Sequence, residues 1–265
     1  GVSGFARVLR LEHASLRAQS TDLSRGVSAA AALASTSETE VAWRGHVCYA
    51  ARLRSSVSAV SKWRGSLEPG SYAITGGLGG LGLRAAALLI ERGAERVLLA
   101  SRSGRVVRDG QGLATQLQSL GAAGEVKACD SADPLDTCAF FSRPVAGVLH
   151  AAGAGDKGLL VELMAARVRW MYAPKALGAW SLHCALASTP LSVCVLFSSV
   201  GSGLGNVGQA NYAAGNSCLD AHALSRRTHG LEACCLQWPL VGGAGMGAAA
   251  FEMAAGRQGG IAGMA

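Results

Sequence analysis

SYAITGGLGGLG, residues 71–82, is the stretch that decides the fold of this chain. It is typical of a short apolar strand that runs through a glycine-rich turn into a helix, which is predicted over residues 79–92. Two overlapping glycine motifs occupy the turn: G-x-G-x-x-G at Gly77, Gly79 and Gly82, and T-G-x-x-x-G-x-G at Thr75, Gly76, Gly80 and Gly82. Glycines let the backbone approach a pyrophosphate, and the helix N-terminus offers it free N–H groups. The stretch therefore predicts the phosphate-binding start of a βαβ unit, and this context weakens the alternative of a turn that binds nothing.

Outward from this unit, apolar runs without polar alternation are separated by helical patterns. Further strands are predicted at RVLLAS, GEVKAC, VAGVLH, LSVCVLFSS and LEACCLQW. Helices are predicted over residues 111–120, 159–186 and 210–227, with a kink or a new start at Pro174. The connection over residues 130–144 is short for a full helix. This pattern predicts an α/β fold: a Rossmann-like, doubly wound parallel sheet with helices on both faces.

Residues 1–65 follow a different pattern and are predicted to form a region separate from a nucleotide-binding domain over residues 66–265. Apolar and polar residues alternate over residues 41–53, which predicts a strand with one wet face. GFARVLRLEH, residues 4–13, is also predicted to be a strand, and residues 24–39 a loop or weak helix. No glycine-rich phosphate loop occurs in this first region.

Charge and cysteine content argue against several classes of protein. The chain of 265 residues has a net charge of +7, but its basic residues are spread along the sequence. This spread disfavours a nucleic-acid interface and favours a nucleotide phosphate or an acidic protein partner.

The eight cysteines form no C-x-x-C pair and no zinc-ligand spacing with histidine, so no metal site is predicted. Reduced, buried cysteines in a cytoplasmic protein fit this pattern best.

Long uncharged runs occur over residues 176–219 and 233–251. Gly, Pro, Ser or Asn residues interrupt both runs, so neither is expected to span a membrane. The first residues do not have the pattern of a signal peptide, so none is predicted in this stretch.

The end of the second predicted strand distinguishes between the two nicotinamide cofactors. NAD sites usually place an acid there to hold the ribose hydroxyls, but residues 97–108 contain no acid. Ser101, Arg102 and Ser103 stand at this point instead, and a guanidinium with hydroxyls suits a 2′-phosphate. The sequence therefore favours NADPH over NADH. Asp130, just past the third strand, is open to two interpretations: an acceptor for the adenine amine, or a helix-cap or turn residue.

Four residues further along the chain form a set that can reduce a carbonyl without a metal. Reduction needs a hydride from the nicotinamide and a proton for the growing alkoxide, and Tyr212 can donate that proton. Lys175 can stabilise the phenolate, and Ser199, at the carboxyl edge of a strand, can hydrogen-bond the carbonyl. Asn216 follows Tyr212 by one helical turn and can hold a water or the lysine in a relay. Taken singly, the tyrosine could equally be packed, the serine a cap and the lysine a surface charge; together, beside a dinucleotide loop, they favour catalysis.

These residues resemble the short-chain dehydrogenase/reductase superfamily, most of whose members carry Tyr-x-x-x-Lys. Here the residue four after Tyr212 is Asn216, and the lysine lies back at Lys175. That exchange is similar to the ketoreductase domains of type I polyketide synthases and animal-type fatty acid synthases. The following segments resemble that family's segments in order: YAITGGLGGLGL, LLASRSG, GVLHAAG, PKALGAWSLH, FSSVGSGLGNVGQANYAAGN and LQW.

The resemblance implies reduction, with NADPH, of a β-ketoacyl chain carried on the phosphopantetheine arm of an acyl carrier protein. The product is then the β-hydroxyacyl thioester, and the other domains of the same synthase are partners. It also implies that residues 1–65 are part of a truncated Rossmann-like structural subdomain and that a lid lies near residues 243–264. The implied cofactor site comprises Thr75, Gly76, Gly77, Leu78, Gly79, Gly80, Leu81, Gly82, Ser101, Arg102, Ser103, Asp130, Ala151, Ala152 and Gly153.

Three positions depart from the family's stereochemical fingerprints. Many such domains carry Leu-Asp-Asp after the HAAG-type segment, where this chain has Gly155, Asp156 and Lys157. The opposite class carries a Trp eight residues before the catalytic Tyr, and here that position is Leu204. The missing Trp favours the first class, which gives the D-hydroxyl.

Two rival functions stay open at this point. One is a catalytically silent domain kept as a scaffold inside a synthase, against which the intact set of four residues argues. The other is a free-standing reductase of small ketones or steroids, against which the N-terminal region and the exchange of Lys and Asn argue.

Overall fold

Two β-sheets are present in the computed structural model, which describes residues 1–28, 37–53, 67–107, 111–245 and 247. The smaller sheet consists of β1 (Ser20–Leu23), β2 (Glu40–Arg44) and β3 (Val47–Ala50). The larger sheet consists of β4 (Ser71–Thr75), β5 (Arg96–Ser101), β6 (Gly124–Ala128), β7 (Gly147–His150), β8 (Val193–Ser199) and β9 (Cys234–Trp238). Its strands are parallel and lie in the order β6-β5-β4-β7-β8-β9. The order reverses between β4 and β7, and open parallel sheets bind ligands at the carboxyl ends of the strands at such a point.

Helices connect these strands and precede the smaller sheet. They are α1 (Val2–Glu12), α2 (Gly80–Glu91), α3 (Leu113–Ser119), α4 (Pro134–Phe140), α5 (Ala165–Tyr172), α6 (Gly178–Ala185), α7 (Val200–Leu204) and α8 (Ala210–Thr228). A π-helical segment, Ala173–Leu177, joins α5 to α6. No helix among the described residues is both long enough and apolar enough to cross a membrane.

The central strands of the larger sheet are buried on both faces, which explains their unalternating apolar sequences. Tyr72, Ala73 and Ile74 of β4 are all fully buried, although neighbouring side chains point to opposite faces. Two separate apolar clusters cover the two faces, one containing Ile74 and the other Ala73. The predicted doubly wound α/β fold is therefore confirmed.

The strand predicted at residues 4–13 is wrong, because this segment lies in the helix α1. Its buried residues Gly4 and Val8 are four positions apart, which is helical spacing rather than strand alternation. They face Ala213 of α8: a Cβ at Gly4 would lie 2.6 Å from the Ala213 carbonyl carbon. Glycine at this position therefore allows the two helices to approach closely.

The alternation over residues 41–53 does not form one strand, as predicted, but two. Gly45 has a φ of +61°, and the chain reverses there so that β2 and β3 pair antiparallel, with Arg44 opposite Val47. Glycine adopts this left-handed conformation readily, which permits the tight hairpin.

Two helical details follow from proline positions. Residues 130–144 do hold a short helix, α4, which starts at Pro134 and is capped by the Asp133 side chain. Pro174 lies inside the π-helical segment, so α5 and α6 continue through it rather than separating. The expected kink therefore takes the form of a wider turn, a feature common at functional sites.

The predicted boundary near residue 65 and most of the predicted lid, residues 243–264, lie outside the described residues. The described part of the N-terminal region packs on the rest of the chain. Arg7 and Arg10 of α1 both pair with Glu40 of β2, and the Arg7 guanidinium also donates to the carbonyl of Ser202. The helix α1 is thus tied both to the smaller sheet and to the segment after β8.

Candidate active site

A cavity of about 1000 Å³ lies at the carboxyl ends of the parallel strands. The glycine loop after β4 borders it, as do the ends of β5, β7 and β8 and the start of α8. Three of the four predicted catalytic residues line this cavity: Lys175, Ser199 and Tyr212.

The glycine loop is packed so closely that side chains would not fit. Gly76 has a φ of +67°, and a Cβ there would lie 2.6 Å from the backbone nitrogen of Ala152. A Cβ at Gly82 would lie 2.5 Å from the carbonyl oxygen of Gly76. The N-terminal end of α2 is therefore held against the ends of β4 and β7, with its first N–H groups at the cavity.

The residues predicted to hold the cofactor line this cavity, with one exception. Gly77 does not line the cavity. It packs against β5 instead, where a Cβ at this position would meet Leu99. The Gly77 N–H donates to the carbonyl of Ala100, so this glycine holds the loop against the neighbouring strand. Asp130 lines the cavity, yet its carboxylate also accepts from the Ala132 N–H at 3.0 Å. The turn interpretation is thus present in the structure, and the contact with adenine stays a prediction.

Lys175 is a buried cation at the edge of the cavity. Its side chain is only 4% exposed, and Nζ donates to the carbonyl of Phe197 at 2.7 Å. Burial lowers the pKa of Lys175 to about 8, while the negative charge of nearby Asp220 acts in the opposite direction. A Cβ at Gly153 would lie 2.7 Å from Lys175 Cε, so the HAAG segment makes room for the lysine. The surface-charge interpretation of Lys175 is therefore excluded.

Ser199 and Tyr212 reach the cavity from adjacent elements. Ser199 is the last residue of β8 and caps α7 by accepting from the Gly201 N–H at 3.2 Å. Tyr212 lies in the first turn of α8, and its backbone N–H donates to Asn211 Oδ1 at 2.8 Å. The serine is thus both a cap and a cavity residue, and the phenol lies among the cavity residues.

Asn216 lies one turn behind Tyr212 and does not line the cavity. Its Nδ2 donates to the Tyr212 carbonyl at 3.0 Å, and its side chain is fully buried. Its Oδ1 is buried without a hydrogen-bond partner among the described residues. Asn216 therefore supports the first turn of α8 and keeps one acceptor without a partner among the described residues, and its role in a relay stays a prediction.

His150, which was not predicted from the sequence, joins the glycine loop to the lysine segment. The ring is fully buried at the end of β7, and burial, followed by the charge of Lys175, lowers the pKa of His150 to about 3. In the neutral ring, Nε2–H donates to the Lys175 carbonyl at 3.2 Å, and Nδ1 accepts from the Thr75 hydroxyl at 2.6 Å. The available signal was a lone polar residue in GVLHAAG, a pattern more often found in ordinary cores.

Asp220 was missed as well, although it follows Asn216 at helical spacing. One carboxylate oxygen accepts from Ser202 Oγ at 2.6 Å and from Gln237 Nε2 at 2.9 Å. The other accepts from Cys235 Sγ at 3.0 Å. Asp220 thereby joins α7 and α8 to β9 behind the cavity and places a negative charge near Lys175.

The doubly wound sheet, the glycine loop and the residues around the cavity define a Rossmann-like short-chain dehydrogenase/reductase domain. Residues 70–243 match the family described as the KR domain. The chain therefore belongs to the ketoreductase domains of modular type I polyketide synthases.

Known relatives agree with this assignment. The polyketide synthase protein NorB of the spectinabilin system of Streptomyces orinoci is 40% identical over 70% of this chain, which spans 9% of NorB. Erythronolide synthase EryA2 of Saccharopolyspora erythraea is 41% identical over 71% of this chain, which spans 5% of EryA2. The chain thus spans less than a tenth of either relative's length.

Solved structures show the same similarity in three dimensions. The structure of A-type ketoreductases from a modular polyketide synthase matches 92% of this chain and 55% of its own, with 34% identity and a TM-score of 0.81. The first ketoreductase of the tylosin polyketide synthase matches with the same identity, coverage and TM-score.

Among the described residues, no group of three or more His, Cys, Asp or Glu side chains could hold a metal ion.

Proposed function

We propose that this domain uses NADPH to reduce a β-ketoacyl thioester, carried by an acyl carrier protein, to the β-hydroxyacyl thioester. The observation that carries the proposal is the placement of Lys175, Ser199 and Tyr212 around one cavity with the glycine loop. A buried ammonium at the edge of this cavity has little structural use, because burial costs it hydration, and perturbed groups of this kind concentrate at functional sites.

The residues of the cavity fit NADPH. The glycine loop and the start of α2 suit the pyrophosphate. Arg102 is exposed at the cavity and makes no hydrogen bond or ion pair with any residue in the described ranges, so its guanidinium is free for a 2′-phosphate. Two further cavity residues carry buried donors without a partner in the described part of the chain: Ser101 Oγ and Trp238 Nε1. When bound, the cofactor would supply the hydride.

The protein's own residues would then manage the proton and the developing charge. Tyr212 donates its phenolic proton to the substrate oxygen, and Lys175 stabilises the phenolate that results. Ser199 donates a hydrogen bond to the substrate carbonyl and fixes its orientation. Asn216 holds the first turn of α8, which carries Tyr212, and its free Oδ1 can hold a water that returns the proton.

The substrate class rests on the family. The relatives are polyketide synthases, and a carrier-bound β-ketoacyl chain is the carbonyl that such a domain meets. The net charge of +7 suits an acidic carrier protein as well as a phosphate. Gly155, Lys157 and Leu204 all line the cavity, so the three positions that depart from the stereochemical fingerprints adjoin the proposed substrate site. The D-hydroxyl stays the prediction for the product.

The first experiment follows the loss of NADPH absorbance with a β-ketoacyl thioester, comparing the unmodified chain with Tyr212→Phe. We expect turnover to fall by at least about 100-fold, because proton transfer by a positioned side chain contributes this much or more. Tyr49→Phe is the matched control, because Tyr49 is 55% exposed on β3 and lies outside the cavity. If the unmodified chain binds NADPH and does not oxidise it with this substrate, the scaffold function replaces the proposed one. Turnover of free ketones without carrier-bound chains would favour the free-standing reductase.

A further inference from the structure

Glu12, the last residue of α1, binds two loops that border the cavity beside Tyr212. Its Oε2 accepts from the backbone N–H of Leu160 at 2.7 Å, and its Oε1 accepts from the N–H of Gly208 at 2.8 Å. Leu160 begins a short 3₁₀-helix, Leu160–Glu162, directly after the loop of residues 155–159 that lies between β7 and α5. Gly208 belongs to the loop of residues 205–209, which joins α7 to α8. One carboxylate thus fixes both loops.

The two loops also contact each other and the start of α8. The Gly158 N–H donates to the Gly208 carbonyl at 2.8 Å. Asn211, next to Tyr212 in the sequence, donates through Nδ2 to Asp156 at 2.6 Å. Arg167 donates to the same carboxylate, and these contacts keep the pKa of Asp156 below its ordinary value. A shift of either loop therefore changes the position of the other.

Residues of both loops line the cavity: Gly155, Lys157, Gly205, Asn206, Val207 and Gln209. Lys157 and Gly208 lie close together, since a Cβ at Gly208 would be 3.4 Å from Lys157 Cγ. The distance between the two loops thus sets the width of the cavity near the phenol. The glycine loop and Arg102, which are predicted to hold the cofactor, belong to other segments.

Glu12 is well placed for this task because α1 itself is firmly held. Val8 is fully buried against α8, and Arg7 and Arg10 pair with Glu40 of the smaller sheet. A carboxylate that accepts from two N–H groups makes charge-assisted hydrogen bonds, which are stronger than neutral ones. Without Glu12, both backbone N–H groups lose their acceptor. Because an unpaired N–H group is unfavourable, we expect the loops to move so that these groups find water or another acceptor.

We propose that Glu12 is a positioning residue of the substrate site, which holds the two loops at the separation that the acyl substrate needs. Glu12 lies outside residues 70–243, the part of the chain that the family match covers. The inference rests on the proposed function, since it assigns this part of the cavity to the acyl thioester. It predicts that losing Glu12 weakens substrate binding and leaves NADPH binding as it was.

The kinetic test compares Glu12→Ala and Glu12→Gln with a charge-matched control, Glu91→Ala, at the exposed end of α2. We expect KM for the β-ketoacyl thioester to rise about tenfold in Glu12→Ala, which corresponds to one lost charge-assisted hydrogen bond. Glu12→Gln keeps one acceptor oxygen and should show a smaller rise. The Kd of NADPH, measured by fluorescence, should stay within about twofold of the unmodified value in every variant. A twofold change in Kd corresponds to less free energy than one hydrogen bond contributes.

A second measurement needs no turnover: hydrogen exchange of the backbone amides of Gly208 and Leu160. In Glu12→Ala we expect both amides to exchange at least about tenfold faster, with the β4 amides unchanged. Unchanged protection of both amides would overturn the proposal, and so would lost protection with an unchanged KM. A parallel loss of NADPH affinity would indicate general loosening and also overturn it. If the unmodified chain shows no turnover, the proposed function fails, whereas lost protection would still support the role of Glu12 in holding the loops.

Discussion

Replacing Lys175 with Met tests whether burying this ammonium lowers the stability of the fold while supporting turnover. Lys175 is 4% exposed, and burial lowers its pKa from 10.5 to about 8. At neutral pH the ammonium is charged in both the folded and the unfolded chain, so folding must remove its hydration. The two pKa values put that cost on the order of 3 kcal/mol, at about 1.4 kcal/mol for each pH unit between them.

Met has a similar length and no charge, so Lys175→Met removes this cost. The change also deprives the Phe197 carbonyl of its donor, which costs about 1–3 kcal/mol. Because the two effects nearly cancel, we expect the free energy of unfolding at neutral pH to change by less than about 2 kcal/mol or to rise. Turnover should nevertheless fall by at least about 100-fold, since under the proposed mechanism Tyr212 loses the cation that stabilises its phenolate.

The pH dependence of stability gives the sharper comparison. The folded pKa lies below the unfolded one, so between about 8 and 10.5 the unfolded chain binds more protons. The stability contributed by this group therefore rises with pH in that window. From about pH 7 to about pH 9.5, the unmodified chain should gain about 2 kcal/mol relative to Lys175→Met.

Urea unfolding followed by tryptophan fluorescence, with a reductant present, measures both quantities. Lys127→Met serves as the control, because Lys127 is one-third exposed and pairs only loosely with Glu125. It should show no such pH-dependent difference. A Lys175→Met variant that is less stable by more than about 3 kcal/mol, with a gap independent of pH, would refute the burial argument. Retained turnover would refute the role assigned to the lysine.

Two further predictions concern residues around the proposed cofactor site. Arg102→Ala should raise KM for NADPH about tenfold and leave KM for NADH unchanged, because only the 2′-phosphate needs the guanidinium; equal effects on both cofactors would contradict this assignment. Gly153→Ala places a Cβ 2.7 Å from Lys175 Cε, so we expect a loss of about 1–3 kcal/mol in urea unfolding and at least about tenfold lower turnover. For Gly153→Ala, unchanged stability and turnover would show that the lysine can move aside.

The elements that the sequence predicted correctly are those whose signals are local. The apolar run of β4 followed by glycines predicted both the strand and the loop. The signal is visible in the sequence because Gly76 approaches Ala152 so closely that only glycine fits at this position. Lys175, Ser199 and Tyr212 were found from their types and spacing, although no interval along the chain shows that they line one cavity.

The elements that were missed depend on contacts between distant residues. The alternation of apolar and polar residues over 41–53 continues through Gly45 without a break, so it gives no sign of a turn. The hairpin is apparent only in the structure, where the chain reverses at that glycine. The helix α1 was read as a strand because its short apolar stretch fits either period, and packing of Val8 against α8 decides between them. His150 carries no local signal that distinguishes a link between Thr75 and Lys175 from an ordinary core residue.

The two halves of the cavity thus differ in how they are built. The glycine loop, α2 and the end of β5 come from one continuous βαβ unit, so the predicted cofactor half is specified within about 30 residues. The half beside Tyr212 is assembled from two loops and from α1, where Glu12 contacts Gly208 across 196 positions of sequence. Loops change readily without loss of the core. Replacing loop residues can thus alter the proposed substrate half without changing the predicted cofactor half, as long as Glu12 still holds the two loops.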